Sequence, residues 1–161
     1  MILELVKNLT ARGQTLAVAE SLTGGLLAAE VVSVSGASKV FSGGIVAYRN
    51  DLKAKLLDVS SLVLAEQGAV CAEVALQMAV GAQNRFGTDW AIATTGVAGP
   101  SSVDGVPVGT VFIAVVGPEL GKQGEKRQIA QKFSFPGDRF NVRRATVEAA
   151  IELIIGEISR N

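Results

Sequence analysis

The order of apolar segments along the chain predicts an α/β fold, a three-layer α/β/α sandwich with a mixed, mainly parallel sheet. Two observations carry this. Short apolar runs of strand length alternate with segments of helical periodicity through most of the sequence, the pattern left by strands joined through crossover helices. Two further apolar runs near residue 110 and residue 130 then follow each other with no helix between them, which adds a strand pair and makes the sheet mixed.

Leu3, Leu5, Val6 and Leu9 recur at helical spacing and Gly13 follows as a stop, so residues 2–12 read as the first helix. Thr15 to Ala19 (TLAVA) is a short apolar strand. The turn Ser21-Leu22-Thr23-Gly24-Gly25 leads into a second helical segment running to about Val32. Residues 36–41 read as a turn, Gly44 to Tyr48 (GIVAY) as a buried strand, and Asn50 as the cap of a short helix through Leu57. Another short helix fits residues 60–66. Val74, Met78, Ala82 and Phe86 mark one face of a helix over residues 72–86, which Gly87 ends. Trp90 to Thr94 is a strand, followed by 14 residues (95–108) rich in Gly, Pro and Ser without periodicity; long structureless loops in compact domains are usually functional. Thr110 to Val116 and Ile129 to Phe135 form a hairpin across the polar segment Gly117 to Lys126, and the last helix starts near Asp138 and runs to about Ile158. There is no internal repeat, linker or low-complexity segment.

A chain of 161 residues fits one domain. Its mass of 16.6 kDa corresponds to a folded surface of about 7,600 Å², against roughly 24,000 Å² for the open chain, enough burial for a true core. Hydrophobic residues make up 48% and charged residues 19%, which excludes disorder and points to homo-oligomerisation, with sister subunits covering part of the surface. Fifteen basic and fifteen acidic residues cancel, so no net field draws the protein to nucleic acid or an anionic membrane. Glu20, Glu30 and several glycines interrupt the richest apolar stretches, so no membrane span is expected. The start of the chain lacks a basic stretch followed by an apolar signal core, and the single cysteine, Cys71, cannot pair internally; the expected location is cytoplasmic. Cys71 is assigned to packing. Most informative is the absence of histidine, which removes the Ser-His-Asp and Cys-His machineries and the commonest metal ligand together.

Four loops can carry chemistry. In Glu20-Ser21-Leu22-Thr23-Gly24-Gly25, hydroxyls and glycines open a helix, which makes either an ordinary cap or an anion site for the free N–H groups. The second loop region runs from Ser38 through Tyr48 to Lys53. With Asn50 as cap, Lys53 falls at the third helical position, where the dipole disfavours a cation. Either Lys53 bends into solvent, or dipole and burial lower its pKa so that its neutral amine can take a proton from serine. Tyr48, the only tyrosine, either relays that proton or holds the amine in place, or else packs at a strand end. Ten residues of straight strand would put Ser38 about 33 Å from Tyr48, so a Ser38–Lys53 pair requires Ser42-Gly43-Gly44 to fold back, or a second subunit. The third loop, Thr94 to Pro100 backed by Pro107 to Thr110, has glycines suited to an oxyanion hole or nucleotide contact, or is a flexible surface loop. In the fourth, Arg139 and Arg143 lie four apart on the opening helix, placed to hold a phosphate or to pair with Asp138 and Glu148.

The segments A-E-S-L-T-G-G (19–25), G-A-S-K-V-F-S-G-G-I-V-A-Y-R-N-D-L-K (36–53), G-A-V (68–70), T-G-V-A-G-P (95–100), P-V-G-T-V (107–111) and F-P-G-D-R (135–139) together resemble the CinA C-terminal-domain family, known as nicotinamide mononucleotide deamidases. The match spans nearly the whole chain. The resemblance implies an α/β/α sandwich, hydrolysis of the carboxamide of nicotinamide mononucleotide to nicotinic acid mononucleotide and ammonia, no metal or other cofactor, and commonly an oligomer. It places the family's catalytic serine on Ser38, its tyrosine on Tyr48 and its lysine on Lys53: nucleophile, relay, and general base then acid. Ser21 is the rival nucleophile; its helix-opening turn fits ligand binding, with Thr23, Gly24 and Gly25. Arg139 and Arg143 are the phosphate candidates, and Thr95, Gly96 and Gly99 would line the nucleotide pocket. In several relatives this domain follows a larger module resembling molybdopterin-binding proteins; these 161 residues do not contain it, and its pyrophosphatase activity is not expected here. The competing expectation is a non-catalytic nucleotide-binding regulatory module, which needs only the Thr23 to Gly25 turn and the arginines and is favoured if Lys53 points into bulk solvent with no serine nearby in any subunit.

Overall fold

A computed structural model describes residues 1–120 and 124–160. The elements follow in the order α1 (Ile2–Arg12), β1 (Leu16–Glu20), α2 (Leu26–Val32), a single 3-10 turn (Ala37–Lys39), β2 (Phe41–Val46), α3 (Asn50–Leu57), α4 (Ser61–Gln67), α5 (Ala72–Phe86), β3 (Trp90–Gly96), β4 (Thr110–Leu120), β5 (Glu125–Ser134) and α6 (Arg139–Ser159). Every predicted helix and strand is present. The hairpin strands reach further than their apolar runs, into the segment expected to be a polar connection, because ladder pairing continues from Glu119 to Lys126. Residues 121–123 of that connection lie outside the described residues. Asp138 caps α6, its carboxylate accepting from the Asn141 amide at 2.9 Å.

The five strands form one sheet in the order β2-β1-β3-β4-β5. β1 pairs in parallel with β2 and β3, whereas β4 is antiparallel to both β3 and β5. Four of the five strands therefore point the same way, with β4 alone reversed. The chain leaves β1 for β2 on one side and crosses to β3 on the other, a switch of direction that opens a crevice at the carboxyl ends of β1 and β3.

The inner strands β1, β3 and β4 read as nearly continuous apolar runs because both of their faces are covered, but the two faces differ in size. Leu16 and Val18 of β1, Trp90 and Ile92 of β3, and Val111, Ile113 and Val115 of β4 form a core of large side chains with α1, α2 and α6. The alternate positions, Ala17, Ala19, Ala91, Ala93 and Ala114, face α5, against which α3 packs. Alanines on that face let α5 lie close against the sheet. Gly81 continues the same tightness outward: a Cβ there would come within 2.1 Å of the Leu57 carbonyl oxygen at the end of α3.

β2 begins three residues earlier than the predicted strand, and Ser42-Gly43-Gly44 lies inside it rather than folding back: Gly43 and Gly44 pair with Ala17 and Val18, and the register shifts by one residue at Ser42. The glycines serve packing here. A Cβ on Gly44 would sit 2.6 Å from Cγ2 of Val18.

Candidate functional site

β1, β2, β3 and β5 all end at one edge of the sheet, and the segments leaving them converge there. They enclose a cleft of about 210 Å³. Ser21 and Leu22 enter it from the β1 exit, Tyr48, Asn50 and Lys53 from the β2 exit and α3, Thr95 to Gly99 and Ser101 from the β3 exit, and Arg139 from the start of α6. Lys53 and Arg139 are its charged lining groups, and no carboxylate lines it among the described residues. The cleft is therefore positive and suits an anionic ligand.

Lys53 is one of the largest buried side chains in the protein, 1% exposed. Its helix is capped by Arg49, so Asn50 is the first helical residue and Lys53 the fourth, one position later than Asn50 as cap would place it. Lys53 Nζ donates to the carbonyl oxygens of Ala47 and Tyr48, both at 3.0 Å. Desolvation lowers its pKa from 10.5 to about 8. A neutral amine holding those two bonds spends both its N–H groups on backbone and leaves its lone pair as the fourth tetrahedral direction. Such an amine is a base oriented before any substrate arrives.

Tyr48 is 56% exposed and its side chain reaches Arg139 rather than Lys53. Arg139 donates to the Tyr48 hydroxyl at 3.0 Å and to the Gly99 carbonyl at 2.9 Å. A guanidinium with five N–H donors keeps others for a ligand. The amides of Leu22, Ala98 and Gly99 have no acceptor among the described residues, which leaves N–H donors at both ends of the cleft.

The Ser21 turn is held from behind. Glu20, fully buried, accepts from the amides of Gly25 and Leu27 at 3.0 Å and of Ala28 at 2.9 Å. Arg143 donates from Nε to the Leu22 carbonyl at 2.9 Å and from Nη2 to the Thr23 carbonyl at 2.8 Å. Thr23 pairs with the Thr94 hydroxyl at 2.8 Å in the interior.

This architecture matches known proteins along its length. The sequence profile of the CinA C-terminal domain covers residues 1–158. The chain belongs to the CinA C-terminal domain family. A CinA-like protein of Frankia casuarinae is 43% identical over 146 residues, 91% of this chain and 32% of that protein. One from Prochlorococcus marinus is 40% identical over 148 residues, again 91% of this chain and 34% of the relative. The chain thus spans about a third of the length of the curated relatives it matches. Among solved structures, the competence/damage inducible protein CihA from Agrobacterium tumefaciens superposes with a TM-score of 0.86 at 35% identity, covering 96% of this chain and 92% of that one. A CinA superfamily protein from Klebsiella pneumoniae reaches 0.92 at 30% identity, covering 99% and 96%.

Within this CinA domain, the expected residues divide. Lys53, Tyr48, Ser21, Thr95, Gly96, Gly99 and Arg139 line one cleft. Ser38 does not. It precedes β2 on the 3-10 turn, in a separate hollow with Val32, Val34 and Phe41, whereas Tyr48 and Lys53 follow β2. The six residues of β2 separate the two by roughly 20 Å. Within one chain Ser38 is thus at the wrong end of the strand to be the nucleophile, and the required fold-back at Ser42–Gly44 does not occur.

Three further expectations are corrected. Thr23 is fully buried against Thr94, so its hydroxyl is unavailable to a ligand. Gly24 and Gly25 do not line the cleft, and the anion at the start of α2 is the carboxylate of Glu20, which fills the site expected for substrate. Arg143 spends its guanidinium on the Leu22 and Thr23 carbonyls and buttresses the turn instead of lining the cleft; neither arginine pairs with Asp138 or Glu148. Asn50 was expected only as a cap, yet it lines the cleft; its spacing of three from Lys53 was the available signal. No helix among the described residues is long and apolar enough to cross a membrane.

Proposed function

We propose that this domain hydrolyses the carboxamide of nicotinamide mononucleotide, releasing ammonia and nicotinic acid mononucleotide, with Ser21 as nucleophile and Lys53 as base. The observation that carries the reading is a buried lysine with a lowered pKa sharing a cleft with a serine hydroxyl in a chain without histidine. The competing regulatory reading needs only the Thr23 to Gly25 turn and the arginines; the burial of Lys53 in a cleft shared with a serine favours the amidohydrolase.

In this mechanism the neutral Lys53 amine takes the Ser21 Oγ proton as Oγ bonds to the amide carbon. The Leu22 amide is placed to stabilise the developing oxyanion, as the residue after a nucleophile often is. Collapse breaks the C–N bond, and the Lys53 ammonium returns its proton to the departing nitrogen, giving ammonia and an acyl ester on Ser21. Water then attacks that ester with Lys53 again as base, and the carboxylate product leaves. The phosphate belongs at the Arg139 end, beside the Ala98 and Gly99 amides, because Glu20 already satisfies the α2 terminus.

Ammonia release from nicotinamide mononucleotide, measured in EDTA with Ser21→Ala, Ser38→Ala and Lys53→Ala in parallel, tests this reading. Ser21→Ala and Lys53→Ala should each lose about a thousandfold or more in kcat, and Ser38→Ala should retain wild-type turnover. Loss of activity in Ser38→Ala with Ser21→Ala active would overturn the nucleophile assignment. Nucleotide binding without any ammonia release by the folded wild type would instead establish the regulatory reading.

A further inference from the structure

The polar groups lining the cleft are mostly committed to the protein itself. Lys53 is bound to two carbonyls, the Thr95 hydroxyl donates to the Ala69 carbonyl at 2.7 Å, and Arg139 holds Tyr48 and Gly99. Among the described residues, the side chains of Ser21, Asn50 and Ser101 line the cleft with no hydrogen bond of their own. Ser21 is assigned to attack, and Ser101 lies on the loop beyond Gly99, on the Arg139 side. Asn50 is the remaining group, and among the described residues it alone brings a side-chain carboxamide, donor and acceptor together, into the cleft.

Its position is informative. As the first residue of α3 it lies one turn before Lys53, and residues three apart on a helix have Cβ atoms about 5–6 Å apart on one face. It makes no capping bond; Arg49 is the cap residue. The first turn of a helix favours a carboxylate, and Asp51, which does not line the cleft, supplies one, paired with Arg49. At position 50 a carboxylate would face Lys53 and hold it as an ammonium, so a neutral side chain there keeps the base usable.

We propose that Asn50 reads the reacting carboxamide of the substrate, accepting from its NH2 group through Oδ1 and donating to its oxygen through Nδ2. The proposal rests on the amidohydrolase reading and assigns its specificity: the carboxylate product has no N–H for Oδ1, so the same side chain favours the amide over the acid and assists product departure. A site built to hydrogen-bond a group discriminates strongly against an analogue lacking it, because its own polar atom is left unpaired.

The test uses equilibrium calorimetry of nicotinamide mononucleotide and nicotinic acid mononucleotide with Ser21→Ala, which leaves the amide intact, and with Ser21→Ala/Asn50→Ala. Asn50→Ala should weaken the amide by about tenfold or more while leaving the acid within about twofold, so that the amide-to-acid preference collapses. Equal weakening of both ligands, or no weakening of either, overturns the proposal. Asn50→Asp in the otherwise wild-type enzyme adds a readout that a merely structural role would not move: the pH at which turnover rises should shift upward as the new carboxylate holds Lys53 charged, and an unmoved profile also overturns it. Failure of the wild type to release ammonia would reject the amidohydrolase reading by itself, whereas the binding preference tests Asn50 separately.

Discussion

Burial of Lys53 has a thermodynamic signature distinct from its chemistry. The side chain titrates at about 8 when folded and at its ordinary 10.5 when unfolded, a gap of about 3 kcal/mol in the cost of carrying the charge. Below pH 8 the lysine is protonated in both states and the full penalty applies. Between the two pKa values the unfolded chain binds more protons, so stability rises with pH, and above 10.5 the penalty is gone. From pH 7 to pH 10 the gain from this residue should be about 2.5 kcal/mol. The assay is urea denaturation of wild type and Lys53→Met at pH 7, 8, 9 and 10. Methionine leaves the Ala47 and Tyr48 carbonyls without their donor, a cost of about 1–3 kcal/mol at every pH, so the comparison is between slopes and not absolute stabilities. Only the wild type should gain the extra stability, and its kcat/KM should climb roughly tenfold between pH 7 and a plateau above 8, following the neutral fraction of the amine. Parallel stability curves for the two proteins, with a flat rate profile, would refute the reasoning.

The two arginines of α6 should separate in kinetics. Arg139→Ala, at an exposed residue, should raise KM for the mononucleotide by about 10- to 100-fold with little change in stability, and steady-state assays with and without the substrate phosphate would show the difference. Arg143→Ala removes two bonds that hold the Leu22 and Thr23 carbonyls, so kcat should fall more than KM rises and the urea midpoint should drop by about 1–3 kcal/mol equivalent. Gly81→Ala should cost about 2–3 kcal/mol by pressing a methyl group against the Leu57 carbonyl. Gly156→Ala, where an added Cβ meets nothing within 4 Å, should instead be neutral or stabilise α6 by up to about 1 kcal/mol, and thermal unfolding of both variants checks the contrast.

The element order was legible because periodicity and end signals are local, and the odd placement of Lys53 near a helix start singled that residue out before any geometry was known. What was not legible depended on direction in space. Ser38 and Lys53 are 15 residues apart in the chain, but a six-residue strand with no reversal carries them to opposite edges of the sheet, and the Gly-Gly pair that resembled a turn answers to the Phe86 ring at Gly43 and to Val18 across the ladder at Gly44. Likewise the free amides opening α2, which read equally as an ordinary cap or an anion site, hold the carboxylate of Glu20, which comes back five to eight residues from its own strand. A helix-opening turn does not reveal whether its anion is internal. Asn50 was hidden by a local role that fitted equally well.

The alanine face of the sheet acts as a spacer for the buried lysine. Ala47, whose carbonyl holds Nζ of Lys53, is itself fully buried in that alanine-rich cluster with Ala17, Ala19 and Leu57 of α3. α3 packs on α5, and α5 rests on the small side chains of β1 and β3. The width of that layer, set one methyl group at a time, fixes how deeply the lysine is withdrawn from water. Proton affinity at the cleft is in this sense a property of strand residues that never touch the ligand.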